Sequence, residues 1–231
     1  MNHGRHDHQK VTSSFRMSVT KSMIGALLAL SVCSVIAEKD SVFGTHWVRF
    51  EPLQIEGQLK GCSLVYLAVQ ADWAYLNGSQ IAVNGAIQVT EMPPGLPVLI
   101  FKIGLRNMSL PGSSFISPTF AYIQTDGAST AAATQRSMEG EAGYGLFVYN
   151  FDSQVAKVLG GLIDGRNVSI GFNRKKGGTD VIVPLDFSVV DSEYTESQKV
   201  IRKHSSASTV AFADCVLGVI EMAQKTHQKV K

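Results

Sequence analysis

The chain has 231 residues, of which 45% are hydrophobic, and it carries 21 Lys and Arg against 19 Asp and Glu. This length suits one large domain, or one domain with an appendage, and it can bury a core without cross-links. The near balance of charge excludes the strongly basic class of chain, which binds nucleic acid through its overall field.

The N-terminal region has the pattern of a secretory signal. A run of 14 uncharged residues, 23–36, follows a segment with four basic residues and one acidic residue. The run is shorter than the ~20 apolar residues that a membrane-spanning helix needs, and the small residue Ala37 follows it. We therefore predict cleavage after Ala37 and export to the periplasm or the exterior, with no stable membrane span in the processed chain.

Under this prediction residues 1–37 are a cleaved signal peptide and residues 38–231 are a single β-rich domain. Three alternatives stay open: a start at Met17 with residues 1–16 as a gene-model extension, lipidation at Cys33, and an uncleaved anchor helix. The processed domain keeps 17 basic and 18 acidic residues, because the leader removes four and one. A net charge of about −1 argues against a nucleic-acid or anionic-membrane partner, which needs a basic field.

The processed chain reads as mainly β. Runs of alternating or β-branched apolar residues between turn residues predict seven to nine strands. The clearest runs are 45–51, 62–70, 79–90, 97–105, 119–125, 145–151, 168–172 and 181–189. Asn84-Gly85, inside the third run, indicates either a hairpin with short arms or one strand with a bulge. Residues 126–137 have no apolar periodicity, so we predict a mobile surface loop or a weak helix there.

Two helices are predicted from apolar residues at helical spacing. The first is capped by Asp152 and ends near Gly165, and the second covers 206–224. Pro184 removes a hydrogen-bond donor from the last predicted strand, which places that strand at a sheet edge or at a bulge. The fold class that follows is an antiparallel β-sandwich, with a flattened β-barrel as the alternative, a short helix before a C-terminal hairpin, and a C-terminal helix.

Two of the three cysteines, Cys62 and Cys215, remain after removal of the leader. An even pair in an exported protein indicates a disulfide, here one that would pin the C-terminal helix to a strand. Because the closed loop is about 150 residues long, the entropy argument gives about 4–5 kcal/mol of stabilisation. Two separate buried thiols are the alternative interpretation.

No set of residues converges on a catalytic centre. Three histidines remain after the leader, His46, His204 and His227, and no nucleophile motif accompanies them. Asp180 and Asp186 lie on the polar face of the last strand and are expected to be solvated. Two distant cysteines and scattered histidines do not form a metal site, so we expect neither metal nor cofactor. The chain is therefore less consistent with an enzyme than with a binding protein.

Two stretches could form a recognition surface. Trp73 and Tyr75 stand beside the turn at Asn77-Gly78, where aromatic side chains are often exposed. The second stretch is the basic hairpin tip, Arg174, Lys175 and Lys176, which suits an acidic partner or lipid headgroups. Solvated turns without a partner are the alternative for both.

Residues 155–189, a short helix followed by a β-hairpin, are similar in hydrophobicity and turn pattern to bacterial periplasmic proteins of the invasion-associated locus B type. The leader and the distant cysteine pair are shared as well. The cysteine pairs expected nearer the middle of such proteins are absent, and no specific motif is shared. The resemblance therefore does not assign the chain to that family.

The function most consistent with these patterns is an exported, periplasmic, non-catalytic binding or scaffolding protein of the cell envelope. Its partner would be an unknown envelope protein or a small ligand, and not a nucleic acid. A hydrolase with an unrecognised loop-borne site and a carrier of a small ligand are the alternatives.

Overall fold

The computed structural model of the protein describes residues 41–229, with gaps at 93–95, 134, 166 and 197–198. The predicted cleavage site after Ala37, the alternative start at Met17 and the lipidation alternative at Cys33 lie outside the described residues. The side chain of His227 lies outside them too.

The described residues form strands over most of their length and two helices. The strands are β1 (Gly44–Ile55), β2 (Gln58–Asp72), β3 (Ser79–Met92), β4 (Leu96–Asn107), β5 (Phe120–Thr125), β6 (Ala128–Ser129), β7 (Gln135–Glu139), β8 (Gly145–Asn150), β9 (Val168–Asn173), β10 (Val181–Leu185), β11 (Val189–Tyr194) and β12 (Val200–His204). The helices are α1 (Ser153–Ile163) and α2 (Ala207–Lys229).

These strands form three antiparallel sheets. The largest has six strands in the order β1-β2-β3-β4-β8-β7, the second has four in the order β10-β9-β5-β6, and the third is the β11–β12 hairpin. The sheets are not closed into a barrel, so the predicted β-sandwich with a C-terminal helix is confirmed and the flattened barrel is not. Pro184 lies in β10 at the edge of the four-stranded sheet, as its missing donor predicts.

The inner face of the six-stranded sheet supplies most of the core. Alternate residues of its central strands are buried, because successive side chains of a strand point to opposite faces. Leu64, Tyr66 and Phe101 on this face are completely buried. The Tyr149 hydroxyl on β8 donates to the Ala121 carbonyl on β5 at 2.6 Å, which ties the six-stranded sheet to the four-stranded one.

Helix α1 begins and ends as its sequence predicts. The Asp152 carboxylate accepts hydrogen bonds from the backbone amides of Gln154 and Val155, at 2.9 and 2.8 Å, so two free amides of the first turn are bonded. The buried stripe of the helix comprises Val155, Val158, Leu159, Gly161 and Leu162. Gly165 follows the helix with a φ of 67°, the left-handed conformation that glycine adopts at helix C-termini.

Helix α2 is pinned to the six-stranded sheet by the predicted disulfide. The sulfurs of Cys62 on β2 and Cys215 on α2 are 2.07 Å apart, which confirms the bridge and rules out two separate thiols. Phe212, Val216 and Val219 of the same helix are buried beside it. By length and mean hydropathy (1.3), Ala207–Gln224 also meets the requirement for a membrane span. Only 22% of this segment is buried: the bridge and the buried residues hold one face of the helix against the core, while Val210 and Leu217 stay exposed.

Asn84-Gly85 lies inside one continuous strand, and the register of β3 with both neighbours is regular around it. The predicted hairpin is therefore wrong, and the alternative of one strand is right except that the strand has no bulge. A glycine is required because a Cβ at Gly85 would lie 2.7 Å from the Tyr66 hydroxyl and 2.0 Å from the Lys102 carbonyl oxygen. The close approach of neighbouring groups, and not a turn, explains this glycine.

Two further sequence predictions are wrong in detail. Residues 126–137, predicted as a loop or weak helix, contain β6 and the start of β7. The unbroken strand predicted over 181–189 stops at Leu185, because the Asp186 carboxylate accepts from the Ser188 amide at 2.9 Å and bends the chain. The chain then enters β11, which pairs with β12 in an antiparallel hairpin.

Candidate functional site

A cleft of about 1020 Å³ opens where the four-stranded sheet, the β11–β12 hairpin and both helices meet. This volume is at the upper end of the ~300–1,000 Å³ range of ligand sites in proteins. Its apolar lining includes Ile163, Leu185, Phe187, Ile201 and Val210, and its polar lining includes Asp164, Asp186, Ser188, Arg202 and His204. Ile201 and Val210 are each 55% exposed, which is unusual for aliphatic side chains lining a concave surface. The cleft therefore presents apolar and polar groups side by side.

Three polar side chains in the cleft have the identities of a catalytic triad. The Ser188 hydroxyl oxygen is 2.6 Å from an Asp186 carboxylate oxygen and 2.8 Å from Nδ1 of His204. The second Asp186 oxygen is 3.6 Å from the same histidine nitrogen. In a working triad the histidine bonds the serine with one ring nitrogen and the acid with the other. Here both partners meet at Nδ1, so Asp186 does not orient His204 toward a nucleophile.

The wall of the cleft formed by the start of β1 is held by His46 and Arg202. His46 is 4% exposed, and its Nε2 donates to the Val42 carbonyl at 2.9 Å, which leaves Nδ1 to accept from the Ser192 hydroxyl at 3.0 Å. Burial lowers the pKa of His46, the bond to Val42 opposes this, and the charge of Arg202 adds to the lowering. Arg202 donates to the carbonyls of Thr45 and Phe43 at 2.7 and 2.6 Å. Both side chains therefore hold the backbone at this wall of the cleft.

The structure brings the two predicted recognition stretches together. Tyr75, in the β2–β3 turn, donates its hydroxyl to the Thr179 carbonyl in the β9–β10 turn at 2.6 Å, although 104 residues separate them. Trp73 is 77% exposed, and Lys175 and Lys176 are exposed at the adjoining hairpin tip. We call Trp73, Tyr75, Lys175 and Lys176 the turn patch. Residues from two turns that are distant in sequence thus form one surface.

Arg174 differs from the other predicted recognition residues. Its Nε donates to the Asp72 carboxylate at 2.9 Å, and the two side chains are 13% and 0% exposed. The other Asp72 oxygen accepts from the Tyr75 amide at 2.9 Å. Arg174 therefore stabilises the turn patch from inside the fold. Contrary to the expectation from sequence, its charge is not exposed at the surface.

A smaller groove of about 290 Å³ lies on the outer face of the six-stranded sheet. Lys102, which lines it, lies over the Tyr144 ring at 4.4 Å and pairs with Glu141 at 2.6 Å. The Tyr144 hydroxyl donates to the Asn84 side-chain oxygen at 2.8 Å, and burial raises the pKa of Tyr144. Because these polar groups bond to one another and the volume is small, the groove is a weaker candidate than the cleft.

Within the part of the chain that the structure describes, no three His, Cys, Asp or Glu side chains group as metal ligands would. Comparison with known proteins gives no further assignment: the chain matches no protein-family model, no curated protein and no solved structure.

Sequence reasoning missed the cleft. Its walls come from β1, the end of α1, the end of β10, the β11–β12 hairpin and the start of α2, and no motif links these segments. No local signal marked it, because Asp186 and Ser188 fall on the polar positions of the alternating run 181–189. The sequence therefore predicted neither the turn at Asp186 nor the histidine that the turn faces.

Proposed function

We propose that this protein is exported and acts in the periplasm, or outside the cell, as a non-catalytic binding or scaffolding protein of the cell envelope. The cleft is its binding site, and the cleft is the observation that carries the proposal. Its occupant is an envelope partner or a small ligand that has apolar and polar groups close together. The leader pattern and the Cys62–Cys215 bridge support export, because disulfides persist in oxidising compartments.

The polar groups of the cleft support binding over catalysis. The Ser188 hydroxyl lies within hydrogen-bond distance of both Asp186 and His204, and Arg202 bonds to the Thr45 carbonyl. Specific ligand sites combine an apolar lining with a few fixed polar groups, which is the composition found here. A hydrolase is the second candidate, favoured by the proximity of Ser188 to His204, but the shared Nδ1 contact does not suit a triad.

Native mass spectrometry of the protein taken from its own cells tests the proposal. We expect the mass of residues 38–231 less two hydrogens, together with a bound molecule or partner. Ile201→Asp in the cleft should remove the bound species, because a carboxylate replaces an exposed apolar contact. Leu217→Asp is the matched control, since Leu217 is 60% exposed on α2 and does not line the cleft.

Each element of the proposal can fail separately. An unprocessed mass would overturn the predicted cleavage. A bound species that survives Ile201→Asp would place the binding site elsewhere. A chain that carries nothing, in the wild type and in both variants, would contradict the binding function itself.

A further inference from the structure

The turn patch continues into a second group of exposed apolar residues. The Met108 amide donates to the Gln80 carbonyl at 2.9 Å, which places the start of the β4–β5 loop beside the β2–β3 turn that carries Trp73. Met108 is 40% exposed and Leu110 is 59% exposed. The far end of this loop reaches the β9–β10 turn, where the Thr119 hydroxyl donates to the Arg174 carbonyl at 2.9 Å. Trp73, Met108, Leu110 and the two lysines therefore belong to one surface.

Trp73 is held in its exposed position and is not a loose side chain. Its six-membered ring lies against Gly78, where an added Cβ would meet the ring at 2.6 Å. Gly78 also has a φ of 82°, which favours glycine in this turn. One face of the indole is thus supported by the turn while the rest of it faces outward.

The charge of this surface is basic. Lys175 and Lys176 are exposed and make no ion pair among the described residues, whereas the acids nearby are bonded within the fold. Asp72 is buried against Arg174. Asp180 accepts from the Tyr122 hydroxyl and from the Asn173 amide, both at 3.0 Å, but it is exposed and keeps its negative charge because both donors are neutral. The two exposed lysines outnumber this one exposed acid, so the local charge is net positive, although the net charge of the processed domain is about −1.

We propose that this surface docks on an anionic lipid bilayer, with Trp73 and Leu110 entering the interface and Lys175 and Lys176 binding the headgroups. Tryptophan concentrates at membrane interfaces because its ring is apolar and its N–H is polar. Lysines near an anionic leaflet each add roughly fivefold to binding. The proposal does not depend on the function of the cleft, and it corrects the expectation from net charge, which overlooks how the charges are distributed.

Tryptophan fluorescence tests the docking directly, because the chain has two tryptophans, Trp47 and Trp73. The full chain is mixed with vesicles of phosphatidylglycerol and phosphatidylcholine that carry bromine on their acyl chains. The Trp47→Phe variant, which reports Trp73 alone, should be quenched strongly. The Trp73→Phe variant, which reports Trp47 on β1, should be quenched several-fold less. Each variant reports a single tryptophan. Binding of the apolar N-terminal segment to the same vesicles would therefore not produce this difference in quenching between Trp73 and Trp47.

The lysines are tested in the Trp47→Phe background. Replacing both Lys175 and Lys176 with Gln should lower the partition coefficient read from Trp73 by roughly 30-fold. The control replaces Lys157, exposed on α1, and Lys199 with Gln, which changes the net charge equally and should leave Trp73 quenching unchanged. Leu110→Ser should weaken quenching without changing the melting temperature.

Three results would overturn the proposal. Trp73 quenched no more than Trp47 would show that this surface does not enter the bilayer. Equal quenching in vesicles of phosphatidylcholine alone would show that anionic headgroups are not recognised. An emission shift of Trp73 with poly-glutamate, without quenching by brominated lipid, would identify an acidic polypeptide as the partner. If Trp47→Phe does not fold, the difference in quenching between the wild type and Trp73→Phe gives the same answer.

Discussion

The two ends of the β9–β10 hairpin use polar side chains in opposite ways. At the turn end the paired charges, Arg174 and Asp72, are largely buried, and the exposed cations, Lys175 and Lys176, make no ion pair within the described residues. At the cleft end Asp186 and His204 are about half exposed, yet both lie within hydrogen-bond distance of the Ser188 hydroxyl. Exposure and residue type therefore do not identify a functional group by themselves. The bonds that a group already makes decide whether it is free to bind something else.

Residues of the same kind therefore have different roles in the fold. Arg174 and Lys175 are neighbours in a basic turn, but the first stabilises the fold and the second is available to a partner. His46 and His204 both face Ser residues, but the first is buried and the second is solvated. Substitutions at the two ends should separate these roles by the size of their effect on unfolding.

Loss of the Cys62–Cys215 disulfide should lower the free energy of unfolding more than any substitution at either end of the β9–β10 hairpin. Cys62→Ser should lower the free energy of unfolding by about 4–5 kcal/mol, because the bridge closes a loop across 153 positions in the unfolded chain. Chemical denaturation of the two forms measures the difference. Reducing agent should destabilise the wild type and have no further effect on the variant. An unchanged denaturation midpoint would reject the bridge as a major stabiliser.

The buried ion pair at the turn end should give the next largest effect. Asp72→Asn leaves the Arg174 charge buried without its partner, which typically costs about 3–5 kcal/mol. Thermal and denaturant unfolding measure this loss. Lys203→Met is the matched control, because it breaks an exposed pair with Glu193 and should change stability little. Similar results for the two variants would remove the distinction between a buried support and an exposed surface.

At the cleft end, His46 should make stability depend on pH. Burial lowers the folded-state pKa of His46 below its unfolded value of 6.5, so the unfolded chain binds a proton first as pH falls. The contribution of His46 is therefore complete above pH 6.5 and is lost as pH drops through the lowered folded pKa. Denaturant unfolding at pH 7.5, 6.5 and 5.5 measures the slope.

His46→Gln should flatten this slope, whereas His204→Gln should keep it, because His204 is exposed and bonds to surface groups. A slope unchanged by His46→Gln, or removed by His204→Gln, would show that the buried histidine is not the group that titrates.

The sequence predicted most of the fold because its signals are local. The Asp152 cap, the stripe of α1, and alternating runs such as that of β9 each determine their own element. The disulfide also followed from a count of cysteines. Three features did not follow: the single strand through Asn84-Gly85, the strand β6, and the turn at Asp186. The first depends on Tyr66 packing at Gly85, and the third on Thr45 accepting from the Asp186 amide at 2.8 Å together with the local bond to Ser188. Strand β6 is only two residues long and pairs with β5 across a short turn, so it has no apolar run to reveal it.

The candidate sites divide in the same way. Trp73, Tyr75, Lys175 and Lys176 could be named from turn chemistry, but not that they form one surface, because the contact between Tyr75 and Thr179 spans 104 residues. The burial of Arg174 could not be predicted, since its partner Asp72 lies at the end of another strand. The cleft could not be predicted at all, because segments far apart in sequence, from Phe43 to Val210, form its walls.

The smallest change in stability is expected for Ser188→Ala, and this variant tests most strictly whether the cleft is a binding site or an active site. Ser188→Ala removes the hydroxyl between Asp186 and His204, and because the site is partly solvated the free energy of unfolding should change by less than about 0.5–1 kcal/mol. On a panel of ester, amide and glycoside substrates, the wild type and the variant should show the same background rate. If Ser188→Ala abolished a measurable hydrolysis while the fold remained intact, Ser188 would be a nucleophile. The ring of His204 would then have to rotate during the reaction to present Nε2, and the cleft would be an active site instead of a binding site.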